Sequence, residues 1–520
     1  MHGYRFMIPF VAAQLFTACT LDSATDLAPL TPRVVGDHIV IADVNAESLA
    51  VMAPKDGHTG SLRRIPLSGA PSNVTPLPGR DATLVLSRLA RTLDVVDVTV
   101  GASPAVRSFD VGAPFEAVAV SDDAHYAVAY FPPNTASTVF HNENEVALID
   151  LSPTLAASDA VSRRTLPSLG GAPLVVTFSP VVNGRRYLFA LSAEHVAIAA
   201  ADQPDRKERS VPLVSLTTGG TRTPRSVTFG VQTDSAGLST LWAIVTTAEA
   251  NSVYALAITP RVDPLDGEAD FDVNLSQLAG IGPGGDATLI TLPPAADGEE
   301  ARLATLTTNP GAGTVTLTDV LTATGRTLPL SAGLNRIVLF RGERGTDEAL
   351  VYNANSVSST FHILDINAFD TGEQRAYRTR TTREPFTSVI PIPGTPRFIV
   401  LKTGSNNSVG ILDADTDRVA GFGKTGDIKS LELNTDLDRL YALTRVDNQD
   451  YVVSVNLMDL HPESSPVPEG GDLMMLLPNV ATVATWRNSP GGHLVLWPAL
   501  STLPEDALVA PGFLLDGLLR

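Results

Sequence analysis

One stretch, Phe386 to Gly426, constrains the fold more than any other. It contains FTSVIPIPGT, PRFIVLKTGS, NSVGILDADT and DRVAGFGKTG. Each is an apolar or alternating run of four to six residues closed by Gly, Pro, Asn or Asp. Such runs are too short for helices, and their β-branched content and turn punctuation favour strands. Four antiparallel strands in about forty residues describe one blade of a β-propeller.

The unit recurs. Aligned on the second strand it reads HIVIADV from His38, ATLVLSR from Ala82, HYAVAYF from His125, RYLFALS from Arg186 and LWAIVTT from Leu241. It continues as RLATLTT from Arg302, EALVYNA from Glu348, RFIVLKT from Arg397, RLYALTR from Arg439 and HLVLWPA from His493. The starts lie roughly forty to sixty residues apart, a spacing suited to blades. Third strands follow, such as LDVVDVT, VALIDLS, VTLTDVL, FHILDIN and VGILDAD, with Asp97, Asp150, Asp319, Asp365 and Asp413 near their ends. Aspartate accepts backbone N–H bonds in turns, so these residues are expected to fold each hairpin into its fourth strand. The alternative is a ring of metal-ligating carboxylates. Outer strands such as SRRTLPS and GRTLPLS are more polar, as edge strands must be.

The expected class is therefore all-β, a β-propeller of four-stranded antiparallel blades over 36–520. The chain is read as starting on a second strand at His38 and ending near a first strand, NVATVATW. Propellers often close by pairing late and early strands, which would give about nine blades; since known propellers usually have four to eight, one ring of eight is expected, within a range of seven to ten. A string of β-sandwich domains fits the short period less well.

The turns before several second strands carry a resemblance. Ser121-Asp122-Asp123, Ser179-Pro180 and Asn434-Thr435-Asp436 resemble degenerate forms of the SPDG-x-x-LYV turn of YVTN-type and WD-like bacterial β-propellers. The similarity covers about 36–500, and the Trp-Asp dipeptide of WD repeats is absent.

The first nineteen residues, MHGYRFMIPFVAAQLFTAC, combine Arg5 with an apolar run too short to span a bilayer as a helix. Phe16-Thr17-Ala18-Cys19 resembles a bacterial lipobox, and Cys19 is the sole cysteine. The resemblance implies a signal peptide over 1–19, lipidation of Cys19, and, with Thr20 rather than Asp next, sorting to the outer membrane. Residues 20–35 read as a flexible tether. No later segment has eighteen uncharged apolar residues in a row, so the chain is expected to be anchored to the envelope and not to span it.

Lys and Arg total 37 against 56 Asp and Glu, a net charge of −19. That balance repels phosphate and argues against a nucleic-acid partner. With one cysteine there is no internal disulfide and no cysteine-based zinc site.

Motifs for chemistry are sparse. Gly280 to Gly285 is glycine-rich but lacks the Lys-Ser/Thr end of a phosphate loop, and reads as an inter-blade loop. Asp413, Asp415 and Asp417 open like a calcium loop, but Arg418 and Lys424 occupy the places of its glycine and glutamate. His141, Glu143 and Glu145 would share one face of an extended chain and could hold Ca²⁺ or another divalent cation; a polar hairpin loop is the plainer reading. The loop from Pro132 to Asn144 is the expected recognition surface. The leading expectation is a lipid-anchored, non-enzymatic module that binds or scaffolds protein, peptide or glycan. The alternative is a metal-assisted hydrolase or lactonase with its site in the central channel.

Overall fold

The computed structural model describes residues 27–512 and 514 except 100–104, 134–140, 168–170, 215–218, 249–252, 279–280, 295–299, 343–344, 356–357, 374, 383–384, 403–407, 417–418, 423–425 and 490. Cys19, the expected signal peptide and most of the expected tether lie outside the described residues.

The described residues form ten four-stranded antiparallel sheets, and in each one every strand pairs with the next in sequence. These are propeller blades. They span 33–66, 73–110, 117–165, 175–212, 224–278, 287–329, 336–381, 388–422, 427–466 and 473–511, numbered 1 to 10 below. Ten blades replace the expected eight.

Part of the difference arises at the two ends of the chain, where the first and last blades are separate and complete and do not share one blade. The short strand Arg33–Val35 pairs with His38–Asp43, so blade 1 has its own first strand, inside the stretch expected to be tether. In blade 10 the first strand is Leu473–Leu477 and the second is Thr482–Arg487. His493–Pro498 is therefore a third strand, one place later than its pattern suggested. All central strands are apolar runs, so composition alone does not separate second from third.

The chain divides into two compact units, Met1–Phe115 with Asp427–Arg520, and Glu116–Gly426. The first holds blades 9, 10, 1 and 2; the second holds blades 3 to 8. Within each unit the first strands of most successive blades lie against one another, as in blades 9 and 10, 1 and 2, 3 and 4, and 7 and 8.

Burial explains the strand pattern. His38–Asp43, Tyr187–Leu191 and His195–Ala200 are buried along their whole length. Blades stacked between neighbours of the same unit are covered on both faces, so their central strands lose the alternation of a half-exposed sheet. The clusters lie between blades: Ile198, Leu213, Leu241 and Phe271 join blades 4 and 5, and Leu306, Leu317, Val351 and Phe369 join 6 and 7. Ile39, Ile41, Met475 and Leu496 join blade 1 to blade 10. Each such side chain contributes about 1.5–3 kcal/mol on full burial. Outer strands such as Gly325–Pro329 and Tyr377–Thr381 remain largely exposed.

The strand-closing aspartates behave as expected of turn formers. Asp97 Oδ1 accepts from Thr99 N at 2.8 Å, Asp150 Oδ1 from Ser152 N at 2.8 Å and Asp319 Oδ1 from Thr322 N at 2.9 Å. Asp413 Oδ1 accepts from Asp415 N and Thr416 N, both at 3.0 Å. Asp365 differs: it caps the helix α1 (Ile366–Thr371), accepting from Ala368 N at 3.0 Å. This one-and-a-half-turn insertion separates the third and fourth strands of blade 7.

Candidate functional site

Two of the three sequence-derived cation candidates are engaged with other side chains. Glu145 accepts from Arg163 Nε at 2.8 Å. The His141 ring stacks on Phe131 with centroids 4.1 Å apart. Glu143 is exposed. Among the described residues no group of three or more His, Cys, Asp or Glu could hold a metal ion. Asp415 lies 3.3 Å from Arg378 Nη2, and Asp417 is outside the described residues. Gly282 and Gly285 close a tight turn between blades 5 and 6, with Gly285 N donating to Gly282 O at 2.9 Å. Most of the expected recognition loop, 134–140, is likewise outside the described residues.

Two clefts lie on either side of α1. The larger, about 540 Å³, runs between blades 6 and 7. Leu292 and Leu317 form its buried floor, and Pro293 and Pro294 stand at its edge. Asn367, Asp370 and Thr371 of α1 face them. Arg302 is fixed inside, with Nη2 2.5 Å from Asp370 Oδ2 and Nη1 3.6 Å from Asp319 Oδ2. Arg326, from the outer strand of blade 6, also lines the cleft.

The second cleft, about 440 Å³, lies between blades 7 and 8 and includes Arg375, Tyr377, Arg378 and Arg380. Arg378 meets buried Glu348 through two hydrogen bonds, Nη1 to Oε1 at 2.7 Å and Nη2 to Oε2 at 3.0 Å. Paired donors of this kind fix the guanidinium plane as well as its position. Tyr377 is exposed, and the edge of its ring meets His362 with centroids 5.7 Å apart.

His362 is buried and held at both ring nitrogens, Nε2 3.0 Å from Ser331 Oγ and Nδ1 3.1 Å from Thr379 Oγ1. Burial lowers its basicity. It lines neither cleft. A neutral imidazole between two hydroxyls is satisfied, and this arrangement serves to join the loop after blade 6 to blade 7.

No protein-family model matches the chain, and no curated protein matches it. Solved structures similar to it include dihydro-heme d1 dehydrogenase NirN in complex with DHE, at 12% identity and a TM-score of 0.40, covering 86% of this chain and 79% of that one. Apo AztD from Citrobacter koseri is similar at 11% identity and 0.34, covering 84% and 95%. The Dos1 propeller is similar at 10% and 0.38, covering 71% and 88%. Similarity at this level carries nothing about activity or ligand.

A sequence signal for the second cleft existed. RAYRTRTTR, starting at Arg375, places four arginines in nine residues of a chain with net charge −19. The 540 Å³ cleft has no such signal, because Leu292, Arg302, Arg326 and Asp370 come from separate strands and from α1.

Proposed function

We propose that this protein is a lipid-anchored propeller of the bacterial envelope, related to the YVTN-type propellers, and that it works as a binding module. Its ligand is a protein, peptide or glycan, met at the outer edges of blades 6 to 8. The observation that carries this reading is the pair of preformed clefts flanking α1, in which Arg302 is held by Asp370 and Arg378 by buried Glu348. A rigid lining lowers the ordering cost of binding. The lipobox-like segment ending at Cys19 supplies the anchor, Thr20 favours the outer membrane, and the acidic balance disfavours nucleic acid.

Two measurements test it. Cells expressing the chain and fed labelled palmitate should label it and keep it in the membrane fraction; Cys19→Ser should lose both. Hydrogen exchange of the purified protein should show protection at 365–380 when envelope extract is added. Absence of label refutes the anchor. Absence of protection there refutes the binding role.

A further inference from the structure

We infer that the cleft between blades 6 and 7 receives a ligand built from an apolar body and one carboxylate. The inference rests on the binding reading above and gives it a ligand class. The volume, about 540 Å³, falls within the range of small-ligand sites, roughly 300–1,000 Å³. Leu292 and Leu317, 1% and 3% exposed, make a floor that favours hydrocarbon.

The charges in the cleft are divided unequally between committed and uncommitted groups. Arg302 is committed to Asp370 and Asp319. Asp319 is further occupied by the N–H groups of Leu321 and Thr322, at 3.0 and 2.9 Å. Both acids are thus drawn onto one guanidinium, which leaves them poor ligands for an added cation. Arg326 is different. It is exposed, and no carboxylate among the described residues pairs with it.

The guanidinium of Arg326 lies beside Gly372. That glycine ends α1 with φ +82, and a Cβ there would collide with Arg326 Nη1. The bare backbone lets the guanidinium lie against the helix end. A carboxylate suits a guanidinium because two parallel N–H donors match its two oxygens. Thr324, Asn367 and Thr371 supply further neutral polar groups around the same space. A bare phosphate would gain nothing from the apolar floor. The carboxylate could belong to a free organic acid or to the end of a peptide chain, and the test separates these.

The experiment is calorimetric titration of the purified full chain with N-acetyl-Gly-Phe as free acid, the same dipeptide as C-terminal amide, 4-phenylbutyrate, and inorganic phosphate. The free acid is expected to bind at least tenfold more tightly than the amide. Arg326→Gln should bring the acid down to the level of the amide, with an unchanged circular dichroism spectrum. Lys207→Gln, the same charge change at an exposed residue of blade 4, should leave the preference intact. Dipeptide acid at least tenfold above phenylbutyrate identifies a peptide end; phenylbutyrate equal or tighter identifies a small organic acid. Equal binding of acid and amide, no binding of either acid, phosphate binding as tightly as the acids, or a preference that survives Arg326→Gln overturns the inference. If protection at 365–380 by envelope extract persists while acid preference is absent, the ligand class falls and the binding role stands. If the acid preference is seen without that protection, the binding role at the envelope falls.

Discussion

Gly57 donates its backbone N–H to Thr482 Oγ1 at 3.1 Å, across 425 residues of chain. The contact seats the tip of the outer hairpin of blade 1 on blade 10. Asp56 N donates to Val480 O at 3.2 Å beside it. Asp56 and Gly57 have φ of 49° and 78°, the left-handed pair that a two-residue hairpin turn requires. An apolar cluster brings the first and last blades together, and this turn adds directional bonds to that contact.

Thr482→Val should lower stability by about 1–3 kcal/mol, because a buried N–H is left without its acceptor, while Thr482→Ser should retain most of it. Gly57→Ala should cost more than Thr482→Val: its Cβ would lie 2.5 Å from Pro498 N, in a conformation unfavourable for alanine. Urea unfolding of the three variants measures the order. Equal midpoints for Gly57→Ala and wild type would remove the contact from the account.

Arg186 is 4% exposed and reaches from blade 4 to the turn after the first strand of blade 3, with Nη1 2.6 Å from Asp122 and Nη2 2.9 Å from Asp123. Nη1 also donates to Ser179 O at 2.7 Å. Arg186→Lys keeps the charge but cannot make all three contacts, and should lose about 1–3 kcal/mol. A denaturation midpoint unchanged in Arg186→Lys would show that charge alone is enough at this position.

Asp450 sets an acid limit. Burial by itself raises its carboxyl, but hydrogen bonds from Arg445, Gly471 N–H and Lys429 outweigh burial and hold it below the ordinary value of 3.8. Asp270 follows the same logic, burial being outweighed chiefly by Arg261, with Phe271 N–H and Arg209 adding to it. A folded-state value below the unfolded one means stability is present above pH 3.8 and is lost as pH falls toward the folded value. The melting temperature should therefore drop below about pH 4, and Asp450→Asn should reduce the steepness of that drop while lowering stability at neutral pH. Thermal melts across the acid range check both parts.

His362 acts at milder pH. Burial holds its imidazole below the ordinary value of 6.5. The unfolded chain takes up the proton first, so the stabilising term is complete above pH 6.5 and declines as pH falls through it. His195 is also depressed by burial and adds to the same slope. His362→Gln should flatten the fall in melting temperature between about pH 7 and pH 5. An unchanged slope would mean that His362 does not contribute to it.

Much of the blade pattern was legible without coordinates. Nine of the ten aligned motifs, from HIVIADV through RLYALTR, are second strands, as their position between turn signals implies. The turn role of Asp97, Asp150, Asp319 and Asp413 was equally legible, since an Asx turn is made within two or three residues. The exceptions share a cause. Blade 1 opens with only three strand residues, Arg33–Val35, too few to show alternation. In blade 10, LMMLL looks no more like a strand than like a short helix, and the shift of HLVLWP to third place follows from missing it.

Local order along the chain determined the blades of this protein, because short apolar runs closed by tight turns pair most readily with their sequence neighbours. The blade count at the ends, the partners of Arg186 and Arg302, and the seating of Gly57 on Thr482 were decided only in three dimensions. Those contacts join residues tens to hundreds of positions apart, and nothing in the spacing of a chain specifies which distant carboxylate a buried guanidinium will meet. The cleft beside α1 belongs to the second kind: Leu317, Arg326 and Asp370 line one cleft only because blades 6 and 7 stack.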